Sequence, residues 1–204
     1  MSIYELKPRF QGLLRPMVGG LARAGVTANQ VTVAACVISV AIGALLCRPG
    51  VPSSWFAAIP IWMFVRMAFN AIDGMLAREF GQKSNLGAYL NELTDVVSDA
   101  SLYLPFAFVA PFAPAWVLAV VFLAALSEFA GVLGQTIGAS RRYDGPVGKS
   151  DRAFLFGALG LWVAVAGSLP EWAAWLMPAI AAGVAWTVVN RIRRGLGEAA
   201  QSKG

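Results

Sequence analysis

The chain holds eleven acidic residues, yet Asp73, Glu79, Glu92, Asp95 and Asp99 crowd between positions 73 and 99. Asn70 and Asp73 stand three apart, and Gly87, Asn91, Asp95 and Asp99 recur every fourth residue, so each set shares one face of a helix. Facing each other, the two sets form a pocket of carboxylate and amide oxygens. Hard divalent cations such as Mg²⁺ or Mn²⁺ take those donors. The sequence has no His, and Cys36 and Cys47 lie in an apolar run without partners at metal-ligand spacing. That excludes a zinc site and makes the two thiols inert packing.

From Asn70 onward the chain reads N-A-I-D-G-M-L-A-R, then eight residues, then G-A-Y-L-N-E-L-T-D. This resembles the signature of the CDP-alcohol phosphotransferases, also called CDP-alcohol phosphatidyltransferases, D-x-x-D-G-x-x-A-R-x(8)-G-x-x-x-D-x-x-x-D. Every spacing matches, and Asp73, Gly74, Ala77, Arg78, Gly87 and Asp95 are identical. Asn70 and Asn91 are the departures.

The resemblance implies a phosphoryl transfer in which metal ions hold the diphosphate of a CDP-linked lipid, usually CDP-diacylglycerol. A hydroxyl acceptor attacks the lipid-side phosphorus and CMP leaves. Metal ions suit such a transfer because they neutralise charge on phosphate oxygens, and a nearby carboxylate can take the hydroxyl proton. By motif position, the family's metal ligands fall on Asn70, Asp73, Asn91 and Asp95, with Asp95 also in the place of the catalytic base and Asp99 a further candidate ligand. Asp73, Gly74, Ala77, Arg78 and Gly87 take the nucleotide-binding positions, the small residues letting a nucleotide lie close to the helices and Arg78 facing phosphate or a carboxylate. Homodimers are also what the resemblance implies.

Charge qualifies this picture. Four motif carboxylates would balance two divalent ions, whereas Asp73 and Asp95 balance one. An Asn carbonyl still coordinates such ions, so weaker or single-ion binding is expected unless Asp99 or Glu92 contributes. Arg66, one turn before Asn70, is either a fixed charge for the diphosphate or half of a salt bridge within the bundle. Residues 141–152, R-R-Y-D-G-P-V-G-K-S-D-R, form a second cluster. Arg142, Lys149 and Arg152 are candidates to bind a phosphate on the acceptor, a sugar or polyol phosphate; the other reading is membrane orientation and attraction to anionic lipids. Glu128 either lines the pocket or bonds within the bundle.

The elements that must position these residues are membrane helices. Of the 204 residues, 58% are hydrophobic and 13% charged, with mean hydropathy +0.65, outside the range of soluble domains. Six apolar stretches, about 30–48, 54–77, 87–109, 113–138, 153–169 and 172–191, approach spanning length. The fold class expected is an all-α membrane protein, six transmembrane helices preceded by an amphipathic interfacial helix. Residues 1–28 would be the amphipathic juxtamembrane segment, broken or kinked at Pro8 and Pro16 and ended by Gly19-Gly20, residues 29–195 the catalytic bundle, and 196–204 a cytoplasmic tail. The segment before Val31 does not read as a cleavable signal. Gly131, Gly134 and Gly138 in the fourth span mark close helix packing.

The net charge of +5 does not indicate nucleic acid. All Lys and Arg except Arg48 and Arg66 fall in segments sharing one side of the membrane, which predicts an inner-membrane protein with cytoplasmic termini and a cytoplasm-facing active site. A transferase accounts for acids, glycines and spacing together. A family-derived binder without turnover accounts for the two Asn residues, and a cation-coupled transporter accounts for the buried acids but not for the glycines.

Overall fold

The computed structural model describes residues 3–201, with side chains from Phe10 onward. Lys203 and the side chains of Ile3, Leu6, Lys7, Pro8 and Arg9 lie outside the described set. Seven helices follow in order: α1 (Ile3–Arg23), α2 (Ala28–Leu46), α3 (Ala58–Glu79), α4 (Asn85–Tyr103), α5 (Pro114–Leu133), α6 (Lys149–Ala166) and α7 (Leu176–Gln201). Short 3₁₀ turns precede α3 and α7 and follow α4 and α5. Among the described residues there is no strand.

Helix starts follow local chemistry. Thr27 and Gln30 form a reciprocal capping box on α2, and the Ser84 hydroxyl accepts from the Gly87 N–H at 3.0 Å to start α4. Asp151 accepts from the Gly148 N–H at 2.9 Å at the head of α6. Pro114 opens α5, where its missing N–H costs nothing.

Among the described residues four helical stretches are long and apolar enough to cross a membrane: Ala28–Leu46, Ser53–Glu79, Pro114–Ile137 and Glu171–Gln201. The other two stretches expected to span differ for a definite reason. α4 carries Glu92, Asp95 and Asp99, and α6 begins with Lys149, Asp151 and Arg152, so each of these short helices holds three charged residues within its length.

Two further expectations change. α1 is continuous through Pro8, Pro16 and Gly19-Gly20 as far as Arg23. Tertiary contacts hold it: fully buried Val18 packs with Val31, Ile72, Met75 and Leu76, and Arg15 makes a two-pronged pair with Glu79 on α3, at 3.2 and 3.0 Å. At the other end, α7 carries the chain to Gln201, so most of the expected tail is helix.

α2 is the central spacer. It packs on both α3 and α4, and those two helices make little direct contact with each other. A short turn at residues 80–84 joins them, yet each packs on α2 rather than on the other. Small residues on α2 explain this: a Cβ on Gly43 would sit 2.1 Å from the Ser101 carbonyl oxygen of α4, and Ser39 accepts from the Trp62 indole of α3 at 2.8 Å. The main apolar core lies toward the start of α3 and the end of α4. There Phe56 and Phe156 meet Phe106 edge-on, and Tyr103 stacks on Phe156 with centroids 3.9 Å apart. The polar cleft is left at the opposite end.

Gly43→Val should force α2 from α4 at a cost on the order of 1–3 kcal/mol. A lower melting midpoint in detergent checks it, with Gly20→Ala, whose added Cβ meets nothing within 4 Å, as the control expected to melt no lower than wild type.

Candidate active site

Where the first turn of α2, the last turns of α3 and the first turns of α4 converge, the protein encloses a cavity of about 620 Å³. Asp73, Gly74, Ala77, Arg78, Gly87 and Asn91 all border it, joined by Asn29, Thr32 and Gln82. The α3–α4 turn is fixed against α2 by one side chain. Gln82 accepts from the Ala28 N–H at 2.7 Å and donates to the Val26 carbonyl at 3.3 Å.

Asp73 is buried, 7% exposed, and its Oδ2 accepts from the Thr32 hydroxyl at 2.8 Å. The Arg78 guanidinium folds back over Gly74, where an added Cβ would meet Nη2 at 2.9 Å. A Cβ on Gly87 would meet Asn29 Oδ1 at the same distance. At both glycines the missing Cβ lets a neighbouring side chain, Arg78 or Asn29, lie against the helix backbone.

Asp95 sits beside this cavity rather than in its wall, close enough to interact electrostatically with Asp73 and Glu92. Both its oxygens are engaged: Oδ1 accepts from Arg66 at 2.8 Å, and Oδ2 pairs with Lys149. Arg66 also holds Asp99 at 2.5 Å. With Arg66 and Asp99 both buried, this is an internal salt bridge linking α3 to α4, and neither side chain borders the cavity. Asn70 is exposed and does not border the cavity either.

The three cations expected to meet an acceptor phosphate are dispersed. Lys149 is on Asp95, Arg142 bridges Asp144 and Glu198, and Arg152 is fully buried on Glu128 at 2.7 Å. None of them borders the cavity. At Arg142 partial burial works against the charged form, but hydrogen bonds and charge from Asp144 and then Glu198 outweigh it, and the group titrates above its ordinary value. Glu128 proves to be a bundle partner and also to touch Arg141 at 3.4 Å and Arg191 at 3.3 Å. Gly131 and Gly134 allow the 138–148 loop to press on α5, and Gly131 also admits Arg191 of α7: a Cβ on Gly131 would sit 2.6 Å from the Arg142 carbonyl oxygen and 3.1 Å from Arg191 Nη1.

Sequence reading did not single out Asn29, Thr32, Gln82 or Arg141 for the site. The Thr27-x-x-Gln30 pattern announces where α2 begins, but nothing local says that this end closes over the α3–α4 turn.

For a metal, the donors that fit are hard oxygens: the Asp73 carboxylate, the Asn91 amide oxygen at the cavity wall, and neighbouring Asp95. Among the described residues no group of three or more His, Cys, Asp or Glu side chains converges. Asp99 is tied to Arg66 away from the cavity, whereas Glu92 borders the cavity and pairs with Arg141 through Oε1. The donor set matches one divalent ion better than two.

A helical bundle with four membrane-length helices and a glycine-floored cavity of oxygen ligands and cations defines a membrane-associated site for a phosphorylated ligand. The chain belongs to the CDP-alcohol phosphatidyltransferase family, whose sequence pattern matches residues 25–189. It is 47% identical over 196 residues to the inner membrane protein YnbA of Escherichia coli (strain K12), covering 95% of this chain and 96% of that protein. Phosphatidylinositol phosphate synthase of Mycobacterium marinum (strain ATCC BAA-535 / M) is 35% identical over 94 residues, 46% of this chain and 38% of that enzyme. The fold is shared with Mycobacterium tuberculosis phosphatidylinositol phosphate synthase. Its complex with manganese and citrate aligns at TM-score 0.73 and 22% identity, covering 89% of this chain and 88% of that one. Its structure with CDP-DAG bound aligns at the same score and identity, covering 88% and 92%.

Arg66→Met would leave Asp95 and Asp99 without their shared partner inside the bundle, a loss of about 3–5 kcal/mol. Arg78→Met should leave the melting midpoint within about 0.5 kcal/mol of wild type, as for a surface change. Thermal melts of both variants in detergent check the contrast.

Proposed function

We propose that this protein is a phospholipid-synthesising transferase that moves a phosphatidyl group from CDP-diacylglycerol to a hydroxyl acceptor and releases CMP. The observation that carries this reading is that six motif residues, Asp73, Gly74, Ala77, Arg78, Gly87 and Asn91, border one cavity. A second cavity of about 610 Å³, walled largely by apolar residues of α4 and α5, shares Ala88, Glu92, Val132 and Gln135 with the first. A polar chamber beside an apolar one suits a donor with a nucleotide at one end and acyl chains at the other.

In this reading Gly74, Ala77 and Gly87 leave room for the cytidine nucleotide, and Arg78 with Lys83 faces its diphosphate. Asp73, held by Thr32, would ligate a single Mg²⁺ or Mn²⁺ together with Asn91 and Asp95, with Asn70 an outer contributor. When bound, such an ion neutralises charge on the phosphate oxygens. Arg66 orients Asp95 from behind. Lys149 stays paired with Asp95 Oδ2, since a carboxylate oxygen has a further lone pair to accept the hydroxyl proton. The acceptor oxygen forms a bond to the lipid-side phosphorus, the bond from that phosphorus to the CMP oxygen breaks, CMP takes the electron pair, and Asp95 takes the hydroxyl proton.

The proposal includes six spans formed by α2 to α7 in the inner membrane, α1 lying at the interface, and both termini with the cavity on the cytoplasmic side, supported by the one-sided distribution of Lys and Arg. The division into 1–28, 29–195 and 196–204 goes with it. Assembly as a homodimer rests on family resemblance alone.

Purified protein with CDP-diacylglycerol and Mn²⁺ or Mg²⁺ should release CMP when an acceptor is supplied, and Asp95→Asn should lower the rate by about 10²-fold or more. Donor binding with no CMP from any acceptor would leave the binder reading standing instead. Asn91→Asp adds a carboxylate and should tighten Mn²⁺ binding, measured by titration calorimetry; unchanged affinity would count against Asn91 as a ligand.

A further inference from the structure

Resting on the transferase reading, we infer that the acceptor alcohol carries no phosphate, and that Glu128 is the specificity-determining residue that keeps one out. A phosphate on the acceptor needs cations free to receive it. The cations of the 141–152 segment and Arg191 are already committed to carboxylates of the protein. Lys149 pairs with Asp95, Arg142 with Asp144 at 2.7 Å and Glu198 at 2.5 Å, and Arg141 with Glu92. Arg152 and Arg191 both turn to Glu128, at 2.7 and 3.3 Å, and Arg141 reaches it at 3.4 Å. The remaining donors of Arg191 go to the backbone carbonyls of Ser127 and Asp144, at 2.5 and 3.4 Å.

Glu128 thus stands where an anion would otherwise stand among three guanidinium groups. Burial restricts access to that arrangement: Arg191 is 1% exposed and Arg152 0%, and Glu128, 7% exposed, is the member that reaches the wall of the second cavity, where it presents a carboxylate. The void bordered by Arg152, Glu128 and Asp99 is about 10 Å³, room for roughly one water and none for a phosphate. The buried Nε of Arg152 has no hydrogen-bond partner in the protein, as expected beside a water-sized space. A phosphate entering here would meet the carboxylates of Glu128 and Asp99 at close range, and like charges in such a setting repel strongly.

The donor cavity is the opposite case. Arg78 and Lys83 border it, and among the described residues neither has a salt bridge. Free cations stand where a diphosphate would lie and neutralised ones where the acceptor would enter. A neutral or zwitterionic alcohol is the class that fits.

Two measurements test this. In the first, wild-type protein with CDP-diacylglycerol and Mn²⁺ is offered glycerol against glycerol phosphate, and inositol against inositol phosphate, at equal concentration. CMP release with the unphosphorylated member should be higher by about tenfold or more; preference for the phosphorylated member overturns the proposal.

In the second, thermal melts compare inorganic phosphate with chloride at equal ionic strength. Glu128→Ala, which removes the carboxylate and opens the space it fills beside Arg152 and Arg191, should gain a phosphate-dependent rise in midpoint that wild type lacks. Phosphate taken up near Arg78 and Lys83 is common to both proteins and cancels. An equal response in the two proteins overturns the role given to Glu128. Should no acceptor release CMP, it is the transferase reading that fails, and the melts still decide the point about Glu128. If Glu128→Ala does not fold even in phosphate, Glu128→Ala/Arg141→Gln, which keeps Arg152 and Arg191 as the receiving pair, is judged by the same criterion.

Discussion

Charge buried among membrane-type helices has to be paired, because an isolated ion in that setting costs several kcal/mol or neutralises. The rest of this structure depends on that constraint. Arg66 on α3 reaches Asp95 and Asp99 on α4, two helices that otherwise make little direct contact. Glu128 on α5 gathers Arg152 from α6, Arg191 from α7 and Arg141 from the loop between α5 and α6. These two hubs connect every helix from α3 to α7. A helix displaced from either would strand a charge, so the pairing holds the bundle to one arrangement even where apolar packing alone would allow sliding.

The same pairing divides the polar end into regions with different chemistry. Around Asp73 the surroundings are small and hydroxylic, Gly74, Ala77, Gly87 and Thr32, with Arg78 and Lys83 free at the edge. Around Glu128 and Asp95 the cations are occupied. Only the first region has the open volume and free positive charge to receive a phosphorylated ligand. The helix geometry produces this outcome: α2 separates α3 from α4 through Gly43 and Ser39 and so leaves the gap that becomes the cavity.

Much of the site was readable from spacing. The three- and four-residue intervals from Asn70 to Asp99 place donors on two helical faces whatever the tertiary fold, and the family pattern extends over residues 25–189. Helix starts at Thr27 and Ser84 were equally local, since a hydroxyl that caps a helix bonds within three residues. Other features were not local. Pro8 and Pro16 predicted a broken α1, and contacts of Val18 and Arg15 with α3 carry the helix through. Arg142, Lys149 and Arg152 looked alike as cations in one basic segment, yet each finds a different carboxylate on a different element.

By itself the sequence determined the class of molecule and the identity of the donor atoms. Hydropathy, the distribution of Lys and Arg and the fixed intervals between polar residues are all set by covalent order and helical period. Only the tertiary structure decided which ions are free. A charge inside a bundle is defined by what lies within a few ångströms of it, and those neighbours come from positions as far apart in the chain as Glu128 and Arg191. Helical period places a side chain on a face; the packing of other helices against that face decides whether it meets a ligand or a partner.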